Sequence, residues 1–338
     1  MSAYQMCPKS FINGSNFWSM QLKPLASLSL DLDNQWSYMK THGDLGWESF
    51  PSYLDIFIPL VLDLFDQLSL KITFFIVGQD ASLKKNEEAL KLITERGHEV
   101  GNHSFYHEPW LHLSSKDKIK REVLGTENHI YRVTGQKPMG FRGPGFSWSS
   151  DLLEVLAENN YIYDTSTLPT YLGPLSRMYY FWTANLTKEK RDKRKKLFGN
   201  FKDGLKPVKP YICHLSTGKH LLEIPVTTIP IIKSPFHLSY LLYLSRFSDL
   251  LMLFYLNIAI FFCKLSDVTP CYLLHPLDLI GGDKFKELSF FPAMDLGFER
   301  KVSVFIKVID HLRKHFHLVN MSTLAKHLLA NGGLKTVK

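Results

Sequence analysis

Short apolar runs alternate with longer amphipathic segments along most of the chain. The short runs have the character of buried strands, several bounded by glycine, and the longer segments have helical periodicity. We predict strands at 25–33, 71–78, 98–104, 138–145, 161–167, 221–230, 271–279 and 317–321, and helices at 53–68, 80–97 (with Asp80 as N-cap), 115–135, 149–160, 237–266 and 299–316. Repeated strand–helix units predict an α/β fold with a mostly parallel sheet, either open or closed into a barrel.

The alternation is interrupted between about residues 170 and 209 by an irregular, basic and aromatic stretch, which we interpret as an insertion. We therefore predict an N-terminal extension at 1–24, one barrel-sized domain at 25–325 that contains this insertion, and a C-terminal tail at 326–338. At 338 residues the chain is long enough to bury a full core.

Cysteine usage and the first residues bear on the compartment. The chain has four cysteines and no CxxC pair, namely Cys7, Cys213, Cys263 and Cys271. This pattern argues against a thiolate zinc site and favours a reducing environment. The N-terminus lacks a basic segment followed by an apolar one, so we expect no secretory signal and a cytoplasmic protein.

The formal net charge is +8, and much of it lies in the run Lys188–Lys196. A solvated surface is the simpler interpretation, and a patch for anionic lipid headgroups is the alternative. No nucleic-acid motif accompanies the run, so we predict no nucleic-acid partner. The apolar stretch Leu250–Cys263 is shorter than the roughly 20 residues of a membrane span. It is typical of a buried or interfacial helix, which would allow peripheral contact with the inner face of a membrane.

Polar residues follow the ends of successive predicted strands. They are Asp31 and Asp33, His103 and His107, Arg142, Asp164, and His275. In a barrel of parallel strands, catalytic groups lie at the C-terminal ends of the strands, so this placement predicts a functional site. The alternative is that these residues are polar only because loops are polar in any fold.

His103 and His107 are four residues apart, a spacing that places two imidazoles on one face of a helical turn. With 14 histidines in the chain the pair alone is a weak signal. Its position after a strand, together with Asp31 and Asp33, predicts a site for zinc or another divalent transition metal. One aspartate would be a ligand and the other a general base, and the pattern leaves open which is which.

Two further residues complete the predicted chemistry. His275, in "LLHPLD", could protonate a leaving group, and Asp278 could orient it. Arg142, in "GFRGPGF", would be a buried cation without a partner unless it meets a carboxylate. Pairing with the base aspartate would keep that aspartate ionised.

The ordered set Asp31-Leu-Asp33, His103-Ser-Phe-Tyr-His107, "FRGPGF" and Leu273-Leu-His275 resembles the polysaccharide deacetylases of carbohydrate esterase family 4. These proteins share the homology domain of the nodulation chitooligosaccharide deacetylases, and the similarity runs from about residue 25 to 325. The resemblance implies a distorted (β/α)7 barrel and a metal-dependent hydrolase that removes acyl groups from sugars.

By position, the resemblance implies that Asp33, His103 and His107 bind the metal. It implies that Asp31 is the base, held by Arg142, and that His275 is the acid. Residues predicted to contact the substrate are Trp36, Pro144, Leu273, which would line the acyl pocket, and Asp278.

The sequence departs from the family pattern in two places. Leu32 separates two aspartates that are usually adjacent, a spacing similar to that of the branch that deformylates a lipid-linked aminosugar. The usual Asp-Trp motif is not visible in "YIYDTSTLP", where Asp164 is a partial match and Asp278 could substitute.

We therefore predict a zinc-type deacylase of an N-acetylated sugar, with cobalt, nickel or iron as alternative metals. Alternative functions are deformylation or deacetylation of a lipid-linked aminosugar, deacylation of a small amide, and glycan binding without catalysis. An iron oxygenase is disfavoured because its facial triad is usually built on antiparallel β folds.

Overall fold

The computed structural model describes residues 23–173 and 201–337. Most of the predicted N-terminal extension, most of the predicted insertion and the basic run 188–196 lie outside the described residues. The strands are β1 Leu25–Leu32, β2 Thr73–Ile76, β3 Glu99–Asn102, β4 Gly140–Phe141, β5 Tyr163–Asp164, β6 Tyr211–His214, β7 His220–Glu223, β8 Cys271–Leu274, β9 His317–Val319 and β10 Lys335–Val337.

The helices are α1 Gln35–His42, α2 Leu54–Gln67, α3 Gly78–Ser82, α4 Glu87–Glu95, α5 Lys116–Thr134, α6 Ser150–Glu158, α7 Leu238–Ser245, α8 Asp249–Leu265, α9 Phe298–His315 and α10 Met321–Asn331. Several begin at side-chain caps: the side chains of Ser115, Ser149 and Asn320 accept hydrogen bonds from the first turns of α5, α6 and α10. In the part of the chain that is described, no helix is long and apolar enough to cross a membrane.

The strands form one sheet that curves into a ring. Their order is β10–β6–β7–β5–β4–β3–β2–β1–β8, with β9 also beside β1. The pair β6–β7 is antiparallel and the other neighbours are parallel. Beyond β7, the backbone N–H of Thr227 donates to the carbonyl of Cys271 on β8 at 3.1 Å, which closes the ring. The prediction of a distorted (β/α)7 barrel is confirmed, with β1, β2, β3, β4, β5, β7 and β8 forming its wall.

Side-chain alternation along β1 separates the two faces of the barrel wall. Leu28, Leu30 and Leu32 are fully buried in the main hydrophobic core, between the barrel and the surrounding helices. The intervening residues, Ser29 and Asp31, therefore point into the barrel. As a result, polar side chains line the interior of the barrel as far as the C-terminal end of β1.

The fold differs from the predicted elements between residues 78 and 97. A single helix was predicted there, with Asp80 as its N-cap, but the structure has α3, a short 3₁₀ turn and α4. Leu83 is extended at this break, with φ −90° and ψ 120°. The Asp80 carboxylate caps no helix because it accepts hydrogen bonds from the side chains of Asn34 and Trp36, at 2.7 and 2.9 Å. Tertiary contacts therefore override the local helical pattern.

The predicted C-terminal tail, 326–338, contains the second half of α10 and the strand β10, which pairs with β6. The domain boundary at residue 325 remains a prediction.

Candidate active site

The C-terminal end of β1 supplies two carboxylates. Past Leu32 the chain makes a tight turn in which the N–H of Asp33 donates to the carbonyl of Asp31 at 2.9 Å. The hydroxyl of Tyr53 donates to the carbonyl of Asp33. Asn34 then caps α1 through a hydrogen bond from the backbone N–H of Gln35. The Leu32 spacer buries its own side chain in the outer core and leaves both aspartates at the mouth of the barrel.

His103 and His107 follow β3 on a loop, and the prediction that they share a helical turn is wrong. Ser104 and His107 both have left-handed backbones, with φ of 59° and 49°. The loop is held by the buried carboxylate of Glu122, which accepts hydrogen bonds from the backbone N–H groups of Phe105 and Tyr106 at 2.8 and 2.9 Å. Two left-handed residues, rather than helical periodicity, therefore bring the imidazoles together.

The structure places the two imidazoles against the Asp33 carboxylate. Its Oδ1 lies 2.8 Å from His107 Nε2 and 3.4 Å from His103 Nε2, and all three residues are buried. Ligand atoms from these three side chains lie within 4.8 Å of one another. Oδ1 of Asp33 is fully buried, yet neither contact has hydrogen-bond geometry and no other described residue donates to it. A cation bound between the three side chains would satisfy this oxygen, so the donor set fits a divalent metal.

Two further features prepare this cluster for a cation. His103 Nδ1 lies 2.7 Å from the carbonyl of Arg142, which fixes the tautomer with the proton on Nδ1 and frees Nε2. Burial acts to raise the pKa of Asp33, but the charge and close contacts of the two imidazoles outweigh it and hold the pKa well below its usual range. The carboxylate is therefore ionised at any physiological pH.

Arg142 lies inside the barrel with no exposed surface. Its Nη1 donates to Asp31 Oδ1 at 2.6 Å and to Ser29 Oγ at 2.9 Å, and its Nε donates to the carbonyl of Thr165 at 3.3 Å. The guanidinium also stacks over the ring of Phe75, 4.3 Å from the centroid. Burial acts to lower the pKa of Arg142, but the Asp31 charge outweighs it and raises that pKa. The predicted pairing of Arg142 with one aspartate of the first motif is thus present.

His275 follows β8 and is held by Asp278. The backbone N–H of His275 donates to Asp278 Oδ2 at 2.9 Å, and the ring Nδ1 lies 3.6 Å from the same oxygen. Burial acts to lower the pKa of His275, but contact with Asp278 outweighs it and raises the pKa to about 9. The ring therefore carries a proton at neutral pH, as a general acid requires.

The residues predicted to contact substrate occupy different positions around the site, and their contact with a substrate stays a prediction. Trp36 has no exposed surface and donates to Asp80 Oδ1, so it supports the turn after β1 instead of facing a ligand. Leu273 points into the barrel, because its neighbours Tyr272 and Leu274 lie in the outer core. Pro144 is buried at the start of a short 3₁₀ turn.

Asp164 belongs to a buried group with Ser166 and Glu223. Its carboxylate accepts a hydrogen bond from Ser166 Oγ at 2.7 Å and interacts with Glu223, which has no exposed surface. In the described part of the chain it is Asp278, and not Asp164, that contacts the candidate acid.

Sequence reasoning missed two residues near the site. His237, at the start of α7, packs its ring 5.9 Å from that of His275, and burial lowers its pKa to about 4, so it is neutral beside a charged neighbour. Burial and the nearby charge of Asp33 raise the pKa of Tyr38, which lies on α1. Its buried hydroxyl has no partner among the described residues. Neither residue belongs to a recognisable motif, so no sequence signal pointed to them.

A protein-family model matches the first half of the barrel. The family model described as polysaccharide deacetylase matches residues 46–163, a segment that includes His103, His107 and Arg142. Over these residues the chain is similar to the polysaccharide deacetylase family. The predicted resemblance is therefore confirmed.

The similar curated proteins include two deacetylases of peptidoglycan. The peptidoglycan-N-acetylglucosamine deacetylase of Bacillus cereus is 31% identical over 106 residues, which is 31% of this chain and 38% of that protein. The peptidoglycan deacetylase of Helicobacter pylori is 28% identical over 157 residues, 44% of this chain and 52% of that protein. The chain thus spans about two fifths to one half of the length of these two relatives.

Among solved structures, a Mycobacterium smegmatis protein provisionally named a polysaccharide deacetylase superposes with a TM-score of 0.57 at 17% identity. The superposition covers 94% of this chain and 99% of that one. At this identity the similarity supports the deacetylase fold.

Proposed function

We propose that this protein is a metal-dependent hydrolase that removes an N-linked acetyl group from a sugar. The observation that carries the proposal is the convergence of three prepared groups at one end of the barrel. These are the Asp33–His103–His107 cluster, the carboxylate of Asp31 held by Arg142, and the protonated ring of His275 held by Asp278.

A divalent ion held by Asp33, His103 and His107 would lower the pKa of a water molecule and polarise the acyl carbonyl. Two imidazoles and one carboxylate suit zinc, and cobalt, nickel or iron would also fit this donor set.

The remaining roles fall to the chain's own side chains. Asp31 accepts the proton of the attacking water, and its contact with Arg142 fixes the direction in which its free oxygen points. His275 donates a proton to the nitrogen of the leaving amine, and Asp278 keeps that proton available by stabilising the imidazolium. The pair balances one proton taken up at Asp31 against one delivered from His275. A glycan-binding protein without catalysis would have no use for such a pair.

The names of the relatives support an N-acetylated aminosugar as substrate, since two of them act on peptidoglycan. A lipid-linked aminosugar that loses a formyl or acetyl group is the second candidate. It is favoured by the Asp31-Leu-Asp33 spacing and by the exposed apolar helix α8. A cytoplasmic location at the inner face of a membrane remains part of this second candidate.

Acetate and formate release separates the two candidates. The zinc-loaded protein is incubated with N-acetylglucosamine oligomers, with peptidoglycan and with an N-formylated aminosugar on a lipid carrier, and each acid is quantified enzymatically. We expect acetate from one of the first two substrates. Release of formate from the lipid carrier alone would select the second candidate, and no release with zinc or cobalt would reject the hydrolase.

Asp278→Asn is expected to slow the reaction while sparing the metal. An amide cannot stabilise the imidazolium as a carboxylate does, so the pKa of His275 should fall from its raised position, about 9. Because the acid form is present below that pKa, the alkaline limb of the kcat profile should move to lower pH. We expect a rate loss of roughly 10–100-fold at pH 8, a partial loss of the 10²–10⁴-fold contribution of general acid–base catalysis.

The measurement is a pH–rate profile beside a zinc determination on the same preparation. The matched control is Asp283→Asn, a nearby carboxylate whose oxygens accept from the backbone N–H of Phe298. An unmoved alkaline limb in Asp278→Asn, or a loss of zinc, would reject the orienting role.

A further inference from the structure

The outer face of α8 carries a stripe of exposed apolar side chains. Leu250, Phe254, Phe261 and Leu265 are 80%, 63%, 60% and 66% exposed, and Ile258 is half-buried between them. With 3.6 residues per turn, these five positions fall within an arc of about 80° around the helix axis. The stripe therefore runs along the helix from its first residues to its last.

The stripe continues onto the end of α7. Tyr243 and Phe247 are 53% and 69% exposed, and their rings meet edge to face, with centroids 5.7 Å apart. We call the exposed side chains of Tyr243, Phe247, Leu250, Phe254, Phe261 and Leu265 the apolar face. Scattered apolar residues are normal on a protein surface, whereas a contiguous row of large ones marks an interaction site.

Packing of α8 leaves this face without a partner among residues 23–173 and 201–337. The opposite side of the helix is already buried in the main core, through Met252, Leu256, Ala259, Ile260 and Cys263. A helix that is apolar on both sides is normally buried on both sides. The barrel covers one side of α8, and no described residue covers the other.

The charges around the apolar face indicate which environment that is. Asp249, at the start of α8, is neutralised by Arg300 and Lys307 at 2.5 and 2.6 Å. At the far end of α8, Lys264 and Lys314 are exposed. Both lie close enough to His315 for their charges to lower its pKa, after the larger effect of burial. Asp267, just beyond α8, is paired with Lys209 at 3.5 Å, so the charges described at the two ends of the face sum to a positive value, which complements an anionic surface.

We propose that the apolar face docks this protein on an anionic lipid bilayer, with α8 lying in the plane of the interface. The helix is too short to cross a bilayer, but its Phe and Leu side chains can enter the boundary between headgroups and acyl chains while the lysines contact the headgroups. The net charge of +8 adds a long-range attraction to the same surface.

One end of the apolar face is connected to the candidate active site by the short helix α7. Helix α7 begins directly after His237, beside His275, and Phe247 follows about ten residues later, or about 15 Å along a helical path. Docking would therefore hold the mouth of the barrel near the lipid headgroups. This consequence rests on the proposed function, whereas the docking itself does not.

The test is cosedimentation of the full-length protein with vesicles made of equal amounts of phosphatidylglycerol and phosphatidylcholine. We expect the wild type to bind. We expect the double variant Phe254→Ser/Phe261→Ser to bind at least about tenfold more weakly, because it no longer gains the free energy of moving two apolar rings from water into the bilayer. Vesicles of phosphatidylcholine alone, or high salt, should weaken wild-type binding.

The matched control is Leu113→Ser/Tyr131→Ser, which removes two side chains of 51% and 59% exposure outside the apolar face. It should bind vesicles as the wild type does. Equal loss in the control, or no wild-type binding, would overturn the proposal. A wild-type dimer that becomes a monomer in Phe254→Ser/Phe261→Ser, without vesicle binding, would show that a second copy covers the face.

Measuring acyl release from a soluble sugar oligomer distinguishes failure of the docking proposal from failure of the proposed hydrolase. Phe254 and Phe261 are mostly exposed to solvent on the outer face of α8, so the double variant should retain wild-type release and an unchanged melting midpoint. Vesicle binding without any hydrolysis would leave docking intact and reject the hydrolase, and hydrolysis without vesicle binding would do the reverse.

Discussion

Asp33→Asn is expected to abolish stoichiometric zinc binding and to lower kcat/KM by at least about a hundredfold. Loss of a residue that only hydrogen-bonds to a metal ligand costs up to about a hundredfold, and loss of a ligand itself should cost at least as much. The amide keeps the shape of the side chain but removes the charge that faces two imidazoles at 2.8 and 3.4 Å. Zinc content by elemental analysis and acetate release on the same preparation measure both effects.

Asp44→Asn is the matched control for this substitution. Asp44 also faces an imidazole, that of His42, at 2.8 Å, but it lies beyond α1 and outside the cluster. The control should keep its zinc and its rate. Full zinc content in Asp33→Asn would contradict the assignment of Asp33 as a ligand. If activity were lost with zinc retained, Asp33 would be the base and Asp31 the ligand, an exchange that the Asp31-Leu-Asp33 spacing left open.

Arg142→Met is expected to lower the free energy of unfolding by about 3–5 kcal/mol, the range found when one partner of a buried ion pair is removed. The substitution leaves the Asp31 carboxylate, which is 5% exposed, inside the barrel without its counter-charge. It also removes the donors to Ser29 and Thr165, whose acceptors then lack partners. Urea unfolding followed by circular dichroism measures the change.

Arg96→Met provides the comparison on the surface. Arg96 contacts Asp66 at 2.5 Å but is 41% exposed, so solvent screens the pair and its loss should cost far less than the loss of the buried pair. The double variant Arg142→Met/Asp31→Asn should recover part of the stability lost in Arg142→Met, because an uncharged amide then replaces the buried, unpaired carboxylate. A cost for Arg142→Met no larger than for Arg96→Met, with no recovery in the double variant, would show that the pair does not stabilise the barrel.

The sequence pattern predicted the barrel because most of its elements have strong local periodicity. The strand β1 alternates apolar and polar residues, and α5 begins at a serine and ends at a left-handed glycine, so both are visible in a short window. Of the elements that were missed, α1 and β10 are short, and their burial patterns are too weak to produce such a signal. Helix α10 has 11 residues and was also missed, since residues 326–338 were predicted to be a tail.

The sequence identified residues that the structure brings together, but it did not predict the backbone geometry that does so. His103 and His107 were identified, but the helical turn was wrong because two left-handed residues have no signature at Ser104 and His107. Trp36 was predicted to contact substrate, yet its ring N–H donates to Asp80, distant in sequence, and the side chain is buried. Contacts of this kind form only when the chain is folded, so a linear pattern cannot show them.

Zinc binding by the chelator-treated full chain, measured by equilibrium dialysis together with activity at each zinc concentration, tests the metal site most directly. We expect one zinc ion per chain, activity that rises in proportion to occupancy, and neither property in Asp33→Asn. Full activity in metal-free protein, or the same zinc stoichiometry in Asp33→Asn as in the wild type, would contradict a metal centre at Asp33, His103 and His107.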